Sequence, residues 1–295
     1  MADIFLTGMT GFVGGHVAAG LVAAGHRIRA LTRGDRDRID GASAVTPVEG
    51  SLHDLDLLAA EAGRADAVVH CAASDAPAFQ AVNAAAIAAI MAALGPEGRF
   101  VTHGGTLTFG PTPNAPPGAD GSAPYAPLPF LIARAEIERM ILQAGHDGTC
   151  RTAIVHAALA YGGPGAMIPS TMVRAARESG VSAYPGTGEA RWSAVHVDDW
   201  AGMLVAAVDR MPPGGTAYVA GGRPWSIAEV AAAIGALFAL PVKSTPEAEA
   251  AMRWGMLGPA LSVPQVFSAE RAIRDLGVPP PRDGLLLALE AYGDR

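Results

Sequence analysis

Thr7-Gly8-Met9-Thr10-Gly11-Phe12-Val13-Gly14 places a glycine at every third residue, directly after an apolar run and directly before a helical one. The spacing has a specific chemical use. Glycines let a tight turn bring the backbone close to a pyrophosphate, and the helix that follows turns free N–H groups and its positive dipole end toward it. A dinucleotide site is therefore expected, with Gly8, Thr10, Gly11, Phe12, Val13 and Gly14 against the cofactor. The next apolar run ends Leu31-Thr32-Arg33, without the acid that would take hydrogen bonds from an adenosine ribose; Asp35 lies beyond Gly34. Arg33 suits a 2′-phosphate, so NADP(H) is expected over NAD(H).

Other reactive side chains fall at the ends of expected strands. His103 and His156 carry groups that exchange protons near neutral pH, although a single histidine in such a place also packs or hydrogen-bonds structurally. Asp198-Asp199 opens an expected helix, where acids cap free N–H groups; that reading is preferred to a paired-carboxylate site. His70 and His196 lack metal-ligand spacing, and no metal is expected. Cys71 and Cys150 read as reduced thiols of a cytosolic protein. Lysine occurs once, at Lys243.

The elements that would position these groups alternate. Strands are expected at Ile4–Thr7, Arg27–Thr32, Val45–Val48, Ala67–Cys71, Arg99–His103 and Thr152–Val155, with helices at Phe12–Ala24, Leu55–Ala62, Ala78–Leu94 and Phe130–Gln143 between them. This rhythm predicts an α/β fold, a Rossmann-type doubly wound parallel sheet whose ligand lies beyond the C-terminal strand ends. The proline-rich stretch Pro111–Pro129 is long enough to be a functional loop. After Tyr161 the pattern loosens at Gly162-Gly163-Pro164-Gly165, and helices follow at Pro169–Glu178 and Asp199–Asp209, with a strand at Trp192–Val197. Ser226 with Glu229 three residues on has capping-box spacing for a helix to Leu237. Residues 1–160 are read as the dinucleotide-binding core and 161–295 as mainly a substrate lobe, with the strand and helix at 192–209 returning to the core.

Composition excludes several classes. The 295-residue chain is 50% apolar with a formal net charge of -7, which favours a packed core and recruits neither nucleic acid nor an anionic membrane. Met1-Ala2-Asp3 runs straight into a strand, so no signal peptide is expected. The segment Phe79–Leu94 is apolar almost all round, needs cover on more than one side, and so points to a homodimer.

With these motifs in place, the chain resembles the extended or atypical short-chain dehydrogenase/reductase superfamily, of the NAD-dependent epimerase/dehydratase type, over nearly its whole length. Gly50-Ser51-Leu52-His53-Asp54 resembles the segment bordering adenine, and Val68-Val69-His70-Cys71-Ala72-Ala73 the strand whose end lies over the cofactor. Asn83 matches the family's helix asparagine, Thr106-Leu107-Thr108-Phe109-Gly110 the end of the fifth-strand motif, Ala160-Tyr161-Gly162 the motif after the sixth strand, and Trp192–Asp199 the Val-His-Val-Asp-Asp signature. The resemblance implies cofactor contacts by Ser51, Leu52, Ala72, Ala73, Asn83, His103, Gly104 and Arg134. The relatives pair the Phe79–Leu94 helix and the one beginning near Phe130 into a dimer's four-helix bundle.

The family's proton chemistry is missing. Its reductases use a tyrosine acid, a lysine four residues later that binds the nicotinamide ribose, and a serine or threonine on the substrate carbonyl. Here Phe130, Arg134 and Gly105 stand at those places. A phenyl ring has no exchangeable proton. Thr106, Arg134 and Tyr161 are the substitutes expected to act at the site, Arg134 as a permanent cation for ribose hydroxyls. The resulting expectation is an NADP(H)-dependent reductase of a small carbonyl, imine or enone substrate with a non-standard proton donor. The alternatives are a cofactor-holding sensor without turnover and a non-redox isomerase or cyclase.

Overall fold

The computed structural model describes residues 1–34, 44–73, 77–163 and 165–292; Asp35 and Pro164 lie outside the described residues. Its centre is a seven-stranded parallel sheet, order β10-β6-β5-β4-β1-β2-β3. The strands are β1 (Asp3–Thr7), β2 (Arg27–Thr32), β3 (Val45–Glu49), β4 (Ala67–His70), β5 (Arg99–Gly105), β6 (Arg151–Ala157) and β10 (Gly215–Val219). Chain order runs outward from β1 in one direction and from β4 in the other. The β1–β4 boundary is thus the switch point, where the two flanking connections diverge and leave a crevice.

Alternating burial explains the two faces. Ile4 and Leu6 of β1 join Val69, Val101 and Val155 under α1 (Phe12–Ala23) and α6 (Val197–Arg210). Phe5 points the other way, with Val68, Phe100 and Ile154, under α2 (Leu55–Ala62), α3 (Pro77–Leu94) and α4 (Ile132–His146). Both faces are covered, so these strands read as continuous apolar runs. Each such side chain taken fully from water contributes about 1.5–3 kcal/mol before conformational entropy is counted.

A second apolar cluster forms beyond the sheet. It gathers Tyr161, Met172, Trp192, Trp225, Ile234 and Leu285. Around it lie the three-stranded sheet β11-β9-β7, built from β7 (Leu159–Tyr161), β9 (Arg191–His196) and β11 (Pro224–Ser226), and the pair β12-β8, from β8 (Ser182–Pro185) and β12 (Val242–Thr245). Helices α5 (Met167–Ser179) and α7 (Ile227–Leu237) cover them. The capping box on α7 forms as expected: Glu229 N–H donates to Ser226 Oγ, and Ser226 N–H to Glu229 Oε2.

Three expectations change. The strand at 191–196 pairs in the small sheet; β10, absent from the sequence reading, is the one that returns to the central sheet beside β6. Helix α4 starts at Ile132, because Pro129–Leu131 forms a separate 3-10 turn and Leu131 is not helical at φ -111°, ψ 6°. Phe130 therefore does not share a regular helical face with Arg134, and it is 46% exposed. Helix α6 starts at Val197, with His196 rather than the aspartates as its N-cap; the His196 ring accepts from Asp198 N–H. Asp198 and Asp199 are left in the first turn, bonded to His16 and Arg282.

The end of the chain is not a detached lobe. Helix α10 (Glu270–Leu276) packs Ala272 and Leu276 into the sheet's core, whereas α8 (Glu247–Trp254), α9 (Leu257–Ala260) and α11 (Leu285–Leu289) pack on the second cluster. Among the described residues, no helix is long and apolar enough to cross a membrane. Helix α3 buries Ala86, Ile87, Ile90 and Met91 on one side and leaves Ala85, Ala88 and Ala92 exposed on the other.

Candidate dinucleotide site and its surroundings

The turn after β1 is built so tightly that only glycine fits it. Gly8 has φ +74°, and a Cβ there would lie 2.4 Å from the backbone nitrogen of Ala72 at the end of β4. A Cβ on Gly14 would lie 2.0 Å from the Gly8 carbonyl oxygen. Gly11 is the N-cap of α1, holds the turn through its N–H to the Gly8 carbonyl, and supplies no capping side chain. With glycine as N-cap, the start of α1 carries no capping side chain at the C-terminal end of β1, an arrangement that fits a pyrophosphate. Phe12 meets the His16 ring in an edge-to-face contact and lies against Gly163 and Gly165.

The other expected cofactor residues divide between two places. Arg33 ends β2 exposed, beside Gly34 at φ +114°. Thr32, just before it, keeps its hydroxyl buried with no hydrogen-bond partner. Ser51 turns its backbone N–H and hydroxyl to Asp54, which shapes the turn after β3, and Leu52 packs on the apolar cluster beneath it. Ala72, Ala73, Asn83, His103 and Arg134, by contrast, meet in one crevice of about 30 Å³ between β4, β5, α3 and α4. Asn83 Oδ1 bonds the Nε2 of His70, whose Nδ1 meets the Thr7 hydroxyl; Asn83 is thereby a brace between α3 and the end of β4. Gly104 is required by packing: a Cβ there would lie 2.3 Å from the ring of His156. Gly105, next in line, faces open space where its side chain would be.

The three expected catalytic side chains are engaged differently. The Thr106 hydroxyl is buried and donates to Gln265 Oε1 at 2.7 Å, while Gln265 in turn donates to the Gly110 carbonyl. Its proton is committed to holding the 106–110 turn against the C-terminal segment. The buried Tyr161 donates to the Arg282 carbonyl at 3.0 Å, and burial pushes its phenol up to about 12. Both hydroxyls act as structural ties. Arg134 remains at the crevice, its side chain 28% exposed, with Nε on Glu138 Oε1 and Nη2 on the His103 carbonyl. The i,i+4 pair with Glu138 is present as the spacing implies, but Glu138 is buried, so this is no ordinary surface charge.

The electrostatics of the crevice are unusual for an acid–base site. Burial pushes His70 down to about 4 and His103 down to about 3, the nearby Arg134 adding to both. Burial raises Cys71 to about 12. Both imidazoles are neutral at pH 7 and the thiol stays protonated. Sequence reasoning passed over Gln265, which lies 159 residues from Thr106 and carries no motif. Among the described residues no group of acids, histidines and cysteines is placed to hold a metal ion.

The profile of the NAD-dependent epimerase/dehydratase family matches residues 4–221. An uncharacterised protein of Schizosaccharomyces pombe is 31% identical over 299 residues, covering 98% of this chain and 99% of its own. In fold, the chain is similar to dTDP-glucose 4,6-dehydratase from Bacillus anthracis in complex with NAD, with TM-score 0.79, 18% identity and coverage of 100% of this chain and 97% of that one. It is similar also to UDP-glucuronic acid 4-epimerase from Bacillus cereus, with TM-score 0.78, 18% identity and coverage of 99% and 98%.

Two tests follow from this geometry. Gly105→Ser should leave stability within about 0.5 kcal/mol, because φ -112° is open to any residue and the space is free. Gly104→Ala should cost about 1–3 kcal/mol, because the methyl group meets the His156 ring. Urea denaturation of the two variants checks the contrast. Acid stability tests the neutral histidines. The unfolded chain takes up protons at His70 and His103 below about pH 6.5, whereas the folded chain refuses them until about 4 and 3. The stability they contribute is therefore complete above pH 6.5 and falls as pH drops through that window. His103→Gln should flatten the slope of stability against pH between 6 and 4; an unchanged slope counts against a neutral buried His103.

Proposed function

The chain belongs to the NAD-dependent epimerase/dehydratase family, and from that premise we propose that it is an NADP(H)-dependent oxidoreductase whose reaction takes no proton from a protein side chain. The observation that carries this reading is the crevice itself. Gly8 packs on the end of β4, and Ala72 there lines the crevice together with Arg134, yet burial holds the crevice imidazoles of His70 and His103 well below the range in which they would exchange protons at pH 7. The dinucleotide, when bound, supplies a hydride at its nicotinamide ring. The chain's own residues do the rest. The first turn of α1 neutralises the pyrophosphate, Arg33 takes the 2′-phosphate, and Arg134 holds hydroxyls of the nicotinamide-side ribose. Gly105 leaves room for substrate where the family places a hydroxyl.

A substrate suited to such a site is one already activated toward hydride: an iminium ion, which becomes an amine without taking up a proton, or a conjugated enone, whose enolate takes its proton from water. Nucleotide sugars are the substrates named for the structural neighbours, and they belong in the same panel as competitors. Turnover is measured by loss of NADPH absorbance with a simple ketone, an enone, an iminium salt and a nucleotide sugar. Consumption with the enone or iminium alone supports the reading. NADPH binding without turnover on any of them assigns a cofactor-holding sensor instead, and product formation without cofactor turnover assigns an isomerase or cyclase.

Cofactor choice is tested separately. NADPH should bind more tightly than NADH, and Arg33→Ala should remove the difference; equal affinities in the native protein overturn the preference. The same reading makes the protein cytoplasmic, with Cys71 and Cys150 as free thiols, and dimeric through α3 and α4. The exposed side of α3 is all alanine at Ala85, Ala88 and Ala92, small enough for a partner helix to approach closely. Light scattering at micromolar concentration should give twice the mass of one chain; the mass of one chain refutes the dimer.

A further inference from the structure

Glu138 is the most deeply placed charge near the crevice, its side chain only 4% exposed. A carboxylate in that position is tolerated only when donors surround it. Arg134 Nε supplies one at Oε1, 3.1 Å away, and His156 Nε2 lies 3.1 Å from Oε2. The other nitrogen of His156 faces the Tyr218 carbonyl at 3.2 Å. Both ring nitrogens thus face oxygen atoms, Nε2 the Glu138 carboxylate and Nδ1 a backbone carbonyl, which fixes the ring between α4 and β10. Burial pushes Glu138 up, but His156 and Arg134 outweigh it and the carboxyl lies below its ordinary range.

This arrangement is rigid from end to end. The His156 ring occupies the space above Gly104, stands edge-on to Phe109 at 4.7 Å, and is fully buried. Phe109 stacks on Tyr125, whose ring also lies beneath the Arg139 guanidinium. Arg134 is therefore gripped at two points, by Glu138 at Nε and by the His103 carbonyl at Nη2. A guanidinium has five N–H donors in a fixed plane. The Arg134 side chain also lines the crevice with Ala72, Ala73 and His103, where its remaining donors are within reach of a ligand.

We propose that Glu138, itself fixed by His156, is a positioning residue that aims Arg134 at the nicotinamide-side ribose of the dinucleotide. The proposal rests on the reading of Arg134 as the ribose cation given above. It explains why the carboxylate is buried: a solvated glutamate at the same spacing would leave the arginine free to sweep through many rotamers, and ordering it on binding would weaken affinity. It also gives Gly104 a role at one remove, since a side chain there would displace His156 from Glu138.

The test is a two-by-two comparison of native protein, Arg134→Ala, Glu138→Gln and the double variant. Each is titrated with NADPH and with 2′,5′-ADP, a fragment that lacks the nicotinamide and its ribose. Glu138→Gln should weaken NADPH by about tenfold, the size of a lost charge-assisted hydrogen bond. It should leave 2′,5′-ADP unchanged and add nothing to Arg134→Ala. Equal losses for both ligands, or an equal loss with and without Arg134, mean general damage and overturn the proposal. If Arg134→Ala weakens NADPH while Glu138→Gln does not, the positioning role fails and the ribose role stands. If Arg134→Ala itself leaves NADPH affinity intact, the ribose reading fails and this proposal with it. His156→Gln keeps a polar group of similar length and serves should Glu138→Gln not fold; it should show the same selective loss for NADPH, and an equal loss for both ligands overturns the proposal.

Discussion

The close approach of two backbone segments governs the rest of this molecule. At the switch point, Gly8 lies so near the end of β4 that a methyl group would meet Ala72, and Gly14 so near Gly8 that a methyl group would meet its carbonyl. Both distances follow from fitting the start of α1 under the turn that leaves β1. The fit turns the first N–H groups of α1 outward and sets the strand ends of β4 and β5 beside them. Everything that could serve a bound dinucleotide, from Arg33 at the end of β2 to Arg134 on α4, takes its place relative to that turn.

Around it, buried polar groups are used mainly for position. His70 is clamped between Thr7 and Asn83, His103 faces the Cys71 carbonyl with its ring edge-on to Trp200, and Thr106 and Gln265 tie the 106–110 turn to the C-terminal segment. Low dielectric makes each of these bonds firm and makes each unpaired alternative unfavourable. The same burial holds the imidazoles neutral. Side chains held in this way keep fixed orientations and exchange protons poorly. Arg134 differs from these groups: it is partly exposed at the crevice while its partner Glu138 is buried.

The C-terminal part of the chain serves two structures at once. Its apolar strands and helices close a second cluster around Trp192 and Trp225, whereas β10, α6 and α10 return to complete the central sheet. Lobe and core therefore share one connected packing rather than a hinge between independent bodies. Tyr161 shows the consequence: placed at the mouth by its motif, it is drawn into the second cluster, where its hydroxyl ties down the Arg282 backbone.

Sequence alone determined the features that depend on local spacing. The glycine turn, the alternation of apolar strands and helices, and the capping box at Ser226 are all properties of short stretches, and each constrains the backbone wherever it is placed. Only the tertiary structure decided what depends on distant partners. Strand β10 was silent because five residues of ordinary composition become a strand only by pairing with β6. Thr106 looked available until Gln265, far along the chain, took its proton. Glu138 stands one helical turn from Arg134 in the sequence, but only the fold buries it and brings His156 to its second oxygen. Burial is a property of the whole fold: it turned Thr106 and Tyr161 from candidate reagents into structural ties, and it set Glu138 and the His103 carbonyl against Arg134.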